Sequence, residues 1–74
     1  MTKAQKEWFE REYNSLYRAR ARYYASGNEE LAKNCGRAIT ELNRVLIHTT
    51  CYHAVELDVE PDEYGVVPIG LVKY

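Results

Sequence analysis

Residue types that commonly hold a metal ion occur together near the middle of the chain, at His48, Cys51 and His53, with Cys35 further upstream. Zinc takes four nitrogen or sulfur ligands in tetrahedral geometry. His48 and Cys51 share a face only in a helix, whereas Cys51 and His53 share one only in a strand. These side chains therefore do not converge. The sequence predicts a helix-to-strand junction here, with no metal site and no cofactor.

Nucleophilic and acid–base side chains are present without the neighbours that activate them. Two serines and two cysteines are candidate nucleophiles, but no nucleophile-elbow glycine pattern or glycine-rich phosphate loop accompanies them. Cys51 and His53 point the same way on a strand, yet two neighbours on one strand do not make a pocket. The acidic residues at 60, 62 and 63 fall in a turn and are expected in solvent. With little volume for a substrate cleft in 74 residues, we predict that the protein is not an enzyme.

A basic face is predicted on the first helix. Arg11, Arg18 and Arg22 lie at offsets of seven and four, and Tyr23 borders them. Such a stripe with a neighbouring ring suits nucleic-acid phosphates and a stacked base. The alternative is a solvated face in which Glu7 pairs with Arg11 at i+4. Because the isoelectric point is about 6.1 and no nucleic-acid motif is present, nucleic-acid binding is the alternative function.

Two long helices must position these residues. Thr2 and Gln5 form a capping-box pattern, and an apolar 3.6-residue spacing follows, which predicts a helix over residues 3–25. Ser26, Gly27 and Asn28 combine a helix-ending glycine with two good N-cap residues. The second helix is predicted over residues 28–48. The two helices are expected to form a long antiparallel hairpin.

The predicted second helix carries one continuous apolar stripe: Leu31, Cys35, Ala38, Ile39, Leu42, Val45, Leu46 and Thr49. Gly36 lies inside this helix, where glycine costs about 1 kcal/mol relative to alanine. We therefore expect another backbone or a tyrosine ring to approach closely at Gly36.

Beyond residue 50 the hydrophobic period changes from 3.6 to two, which predicts a strand over about residues 51–59. The alternative is a helix that continues from Thr49 to Leu57. A turn segment at 60–65 precedes a second apolar run, Val66–Val72, in which Pro68 lacks an N–H and restricts the run to an edge strand or an extended arm. The predicted fold class is α+β: a single domain over 1–74, with the α-hairpin followed by a short C-terminal β-hairpin or extended arm over 51–74.

Composition and charge exclude several classes of protein. The chain is 46% hydrophobic and 28% charged, which is typical of a folded domain. The net charge is −1, distributed as +3 over residues 1–53 and −4 over 54–74. No apolar run approaches the ~20 residues of a membrane span, and no apolar signal core follows Met1. We expect a soluble, cytoplasmic protein whose two cysteines are thiols.

The remaining hypothesis is protein binding, since a lone helical hairpin leaves apolar surface without cover. Six residues are the predicted contacts: Trp8, Tyr17, Tyr24, Val67, Ile69 and Leu71. We expect self-association, with a homodimer as the simplest state, an arm at 66–72 that crosses to a partner, and a larger protein target. A non-catalytic regulator or inhibitor is the predicted function, of the kind that includes the anti-host-defence inhibitors of bacteriophages.

Overall fold

The computed structural model describes residues 1–74 and contains two helices followed by a two-stranded sheet. Helix α1 spans Lys3–Ala25, helix α2 spans Glu29–Thr49, strand β1 spans Tyr52–Glu56 and strand β2 spans Ile69–Lys73. The strands pair antiparallel. The predicted α+β arrangement is confirmed, and both helices lie within one residue of their predicted bounds.

Local hydrogen bonds explain where the helices begin and end. The Thr2 side chain accepts from the Gln5 N–H at 3.1 Å, and the Gln5 side chain accepts from the Thr2 N–H at 2.9 Å. Gly27 has a φ of 78°, a left-handed conformation that glycine adopts without strain, and it separates α1 from α2. Asn28 precedes α2 without a side-chain capping bond.

Helix α2 ends at the junction where the sequence left two alternatives open, a strand or a continued helix. Thr50 is extended, with a ψ of 173°, and its hydroxyl accepts from the Tyr52 N–H at 3.1 Å. Strand β1 follows at once. The alternative of a helix continuing to Leu57 is therefore wrong, and the two-residue period indicated the right element.

The core lies between the hairpin and one face of the sheet. Six buried side chains form it: Phe9, Tyr13, Ile39, Leu46, Ile69 and Leu71. The strand register places Ala54 opposite Leu71. Tyr52 and Ala54 pack against the core, so β1 turns this face toward the helices.

The outer edge of β2 is held by two side chains of α1. The Asn14 amide donates to the Ile69 carbonyl at 3.1 Å and accepts from the Ile69 N–H at 2.7 Å, as a neighbouring strand would. The Glu10 carboxylate accepts from the Leu71 N–H at 3.0 Å. Helix α1 therefore supplies hydrogen bonds that a third strand would otherwise make.

This edge pairing corrects the expectation of a crossing arm. Ile69 and Leu71 are buried in the core of their own chain rather than displayed to a partner. The strand begins only after Pro68, whose carbonyl accepts from the Leu57 N–H at 2.9 Å. Proline is tolerated because no N–H is needed from it at that end of the strand. The C-terminal run is a β-hairpin partner, not an arm.

The expected close approach at Gly36 is also wrong. A Cβ built at Gly36 meets no atom within 4 Å. The glycine of β2 behaves differently, because a Cβ at Gly70 lies 2.7 Å from Cδ2 of Leu57. Close packing therefore explains Gly70, whereas nothing in the chain occupies the space beside Gly36.

Tyr13 is fully buried between the helices, and its hydroxyl donates to Oδ1 of Asn43 at 2.5 Å. Burial raises the pKa of Tyr13 to about 12, with a smaller contribution from Tyr17. An unfolded tyrosine has a pKa near 10. Between pH 10 and 12 the folded chain keeps a proton that the unfolded chain loses, so the free energy of unfolding must fall as pH rises through this range.

We predict that Tyr13→Phe lowers the free energy of unfolding at pH 7 by about 1–3 kcal/mol, because the Asn43 amide loses its buried partner. The variant should also lose less stability between pH 10 and 12 than the wild type, since the titrating group is gone. Urea denaturation at both ends of this range measures the two effects. An unchanged alkaline slope would contradict the assignment.

We predict that Asn14→Ala destabilises the fold by about 1–3 kcal/mol, because both backbone groups of Ile69 lose their partner. Amide hydrogen exchange at Ile69 should accelerate more than exchange in the middle of α2. Asn34→Ala is the matched control, since Asn34 makes only an exposed bond to Arg37. Equal denaturation midpoints for the two variants would contradict the role of Asn14.

We predict that Gly36→Ala stabilises the protein by about 1 kcal/mol, because alanine has the higher helix propensity and the added methyl group meets nothing. The melting temperature should rise by about 4–8 °C for a domain of this size. Gly70→Ala is the control and should bring no gain, because the Leu57 side chain must move aside. A lower melting temperature for Gly36→Ala would show that the site is crowded.

Candidate protein-binding surfaces

One broad apolar surface lies on the side of the hairpin away from the sheet. Glu10 and Asn14 direct one side of α1 toward β2. Trp8 lies two residues before Glu10, about 200° around the helix, so it points away from the sheet. We call this surface the outer helix face. Its members are exposed or half-buried: Trp8, Leu16 and Tyr23 of α1, and Leu31, Cys35, Ala38, Leu42, Val45 and Thr49 of α2.

A shallow depression occupies the middle of the outer helix face. It has a volume of about 330 Å³ and lies between Trp8 and Leu16 of α1 and Leu42 and Val45 of α2. Two carboxylates, Glu12 and Glu41, also line it. Trp8 is 46% exposed and Val45 is 43% exposed. Large apolar side chains at this exposure, grouped on one face, are typical of a contact surface.

The second surface is a cleft between the C-terminal half of α1 and the loop before β2. We call it the tyrosine cleft, because Tyr17, Tyr24 and Tyr64 line its volume of about 580 Å³. The Arg20 guanidinium carbon lies 4.9 Å from the centre of the Tyr17 ring, a cation–π contact. Glu56, at the end of β1, also lines the cleft, which therefore contains one charge of each sign.

A basic groove adjoins the tyrosine cleft, and the two share Arg20 and Tyr24. The groove has a volume of about 670 Å³ and is lined on the α2 side by Lys33, Gly36 and Arg37, with one carboxylate, Glu41. None of its three basic residues has an acidic group within ion-pair distance. Gly36 lines this groove, so the open space beside Gly36 is part of the groove.

The fold brings together some of the predicted contact residues and separates others. Tyr17, Tyr24 and Val67 all line the tyrosine cleft. Trp8 lies on the outer helix face, and Tyr24 is 52% exposed. Ile69 also lines the cleft, but it is only 7% exposed and belongs to the core, and Leu71 is buried in the core as well.

Sequence reasoning missed several residues of the tyrosine cleft, among them its two charged side chains and its third tyrosine: Arg20, Glu56 and Tyr64. Arg20 follows the apolar spacing of α1, which was a weak signal that it lies toward the interior. Glu56 and Tyr64 come from the end of β1 and from the following loop. Only the packing of β2 against α1 brings these segments to the helix.

The predicted basic face is exposed, as its spacing indicated. Arg11, Arg18 and Arg22 are all exposed and form no ion pair within 4 Å. Arg18, however, lines a small cavity of about 110 Å³ together with Glu60 and Asp62. Part of the basic face therefore lies beside the acidic loop of the same chain.

The candidate metal-ligand residues do not form a site. His48 and Cys51 are exposed, whereas His53 is half-buried with its ring 4.5 Å from the Tyr74 ring. No group of three or more His, Cys, Asp or Glu side chains is arranged to hold a metal ion. Both cysteines are free thiols. Neither helix is long and apolar enough to cross a membrane.

Comparison with protein-family models, with curated proteins and with solved structures finds no match to this chain.

Proposed function

We propose that this protein is a small non-catalytic regulator or inhibitor that self-associates and binds a larger protein. The observation that carries the proposal is an imbalance between interior and surface. Seven hydrophobic residues are buried, whereas eleven large hydrophobic residues are at least 40% exposed. Exposed apolar side chains in such excess, when they are grouped, favour contact with other proteins.

The two surfaces suit different partners. The outer helix face is broad, shallow and mostly apolar, with Glu12 and Glu41 at its central depression. A face of this kind suits the packing of further helices. The tyrosine cleft is concave and combines three tyrosine rings with Arg20. Tyrosine and arginine dominate the binding energy of many protein interfaces. We assign the larger partner to the tyrosine cleft and self-association to the outer helix face.

The charged side chains of the tyrosine cleft would orient a bound partner, which its apolar contacts alone would not do. Arg20 and Glu56 supply one positive and one negative group. A docking loop that carries a hydrogen-bonding or charged side chain at its tip would therefore fit the cleft in one orientation. A regulator of this size would act by covering a functional surface of its target.

Nucleic-acid binding is the competing function. Arg11, Arg18 and Arg22 provide an exposed basic face, and the basic groove adds three more cations. The proximity of Arg18 to Glu60 and Asp62 weakens that face for phosphate binding, because a polyanion would meet these carboxylates. Protein binding is therefore the function that we favour.

We predict that Tyr24→Ala abolishes capture of a specific protein from a native lysate, whereas the wild-type chain captures it. Val59→Ala is the matched control, because Val59 is 54% exposed but does not line the tyrosine cleft. The captured protein is then purified, and its affinity for each chain is measured by calorimetry. We expect at least a tenfold loss of affinity for Tyr24→Ala, since truncation of a central hot-spot tyrosine costs about 2 kcal/mol or more and tenfold corresponds to about 1.4 kcal/mol.

Three results would contradict the assignment. Equal affinities of the two variants would remove the tyrosine cleft as the site. No captured protein at all would remove the proposed target. Recovery of nucleic acid, with an affinity that falls steeply between two salt concentrations, would favour the basic face instead.

A further inference from the structure

Apart from Ala32 and Ile47, the apolar residues of α2 fall into two sets that point in different directions. Ile39 and Leu46 are buried in the core against α1. The other set stays exposed or half-buried on the outer helix face: Leu31, Cys35, Ala38, Leu42, Val45 and Thr49. We call this second set the α2 seam.

The α2 seam follows the spacing of a coiled coil. From residue 31 to residue 49 its five steps alternate between four and three residues, as the core positions of a coiled coil do. Alternation of this kind keeps a seam turned toward one partner helix along its length. The seam covers about 27 Å of helix, and the sheet lies on the other side of the hairpin. No part of the chain supplies the partner helix.

The geometry points to a second copy of this chain, with its α2 antiparallel to the first and a two-fold axis level with residue 40. The inference rests on the self-association in the proposed function and specifies its geometry. In this register Leu31 lies opposite Thr49, Cys35 opposite Val45 and Ala38 opposite Leu42. Each layer combines a larger side chain with a smaller one, which fills the space between two helices evenly.

A parallel arrangement fits less well. It would set Ala38 against Ala38 and Leu42 against Leu42. A layer of two small side chains would then lie next to a layer of two large ones. Close-packed interfaces do not tolerate such voids without loss of stability. The side-chain sizes on the seam therefore select the antiparallel direction.

The position of α1 beside α2 is compatible with the same two-fold axis. The Tyr13–Asn43 hydrogen bond sets the level of α1 beside α2 and brings Leu16 close to the level of the axis. Trp8 of one copy then lies level with Tyr23 of the other to within one residue, and both belong to the outer helix face. The two aromatic side chains can pack together across the interface.

Two carboxylates line the depression on the outer helix face, Glu12 and Glu41. Glu41 is paired with Arg44 at 2.7 Å. Glu12 lies four residues from the level of the axis, so the two Glu12 residues of the dimer are about 12 Å apart along the bundle. The area is also suitable. A stable dimer buries about 800 Å² per subunit. A face about 27 Å long and two helix diameters wide has an area of this order. The expected assembly is a four-helix bundle with a sheet on the outside of each half.

Disulfide trapping with purified full-length protein tests this register. In a Cys51→Ser background, Val45→Cys places a thiol opposite Cys35 of the second copy, and oxidation with diamide should give a covalent dimer. Cys35 alone should not cross-link, because the two Cys35 residues are ten residues apart along the bundle, about 15 Å, and a disulfide needs about 4–7 Å between Cα atoms. Peptide mass spectrometry identifies the linked positions.

Ile47→Cys is the matched control for the trapping, because Ile47 is a 54% exposed aliphatic residue of α2 outside the seam. It should yield at least tenfold less covalent dimer than Val45→Cys. A second measurement needs no cysteine: light scattering should report a dimer for the wild type and for Ile47→Glu, and a monomer for Val45→Glu.

Three outcomes would overturn the inference: a monomeric wild type at about 100 µM, efficient cross-linking through Cys35 alone, or equal cross-linking at positions 45 and 47. The second outcome would indicate the parallel arrangement. None of these results alters the capture experiment with Tyr24→Ala, so failure of this inference is distinguishable from failure of target binding.

Discussion

The structure depends on the hydrogen bonds by which α1 holds the edge of β2. A two-stranded sheet is only marginally stable by itself, and a strand edge beside a core needs partners for its N–H and C=O groups. Asn14 meets this need at Ile69, and Glu10 meets it at Leu71. These bonds join residues 55 and 61 positions apart in the chain. They place Ile69 and Leu71 in the core, so that the sheet covers the core on one side of the hairpin.

Because the sheet covers only one side of the hairpin, it determines which hydrophobic side chains stay exposed. With 74 residues the chain has one sheet of two strands to cover its hairpin, and that sheet lies on one side only. Small domains bury a small fraction of their surface because their area is large relative to their volume. The other side of the hairpin, with Trp8 and Val45, has no cover of its own. The outer helix face is therefore a direct consequence of where β2 binds.

The same packing creates the tyrosine cleft. Once β2 is fixed against α1, the loop that leads into it must pass over the C-terminal half of that helix, where Tyr64 and Val67 come to face Tyr17 and Tyr24. Glu60 and Asp62 of the loop come near Arg18. The opposite net charges of the two parts of the chain thus partly face each other within one molecule, and the basic groove beside Gly36 is left unpaired.

The sequence by itself determined the helices, their hairpin and the change to strand after residue 50. These features follow from local interactions, such as the Thr2–Gln5 capping box, the glycine at position 27 and the hydrophobic periods of 3.6 and two. It also predicted correctly that Trp8 and Tyr24 are exposed. Each of these depends on residues close together in the chain or on one helical face.

Only the tertiary structure decided how the hydrophobic residues are divided between core and surface. The α2 stripe reads as one continuous face, yet Ile39 and Leu46 are buried while Leu31 and Val45 are not, because α1 contacts only half of it. The run at 66–72 reads equally well as an arm or a strand, and the side chain of Asn14 selects the strand. Gly36 suggested a close contact that does not exist. Such choices depend on contacts between distant segments, and a single sequence carries no local signal for them.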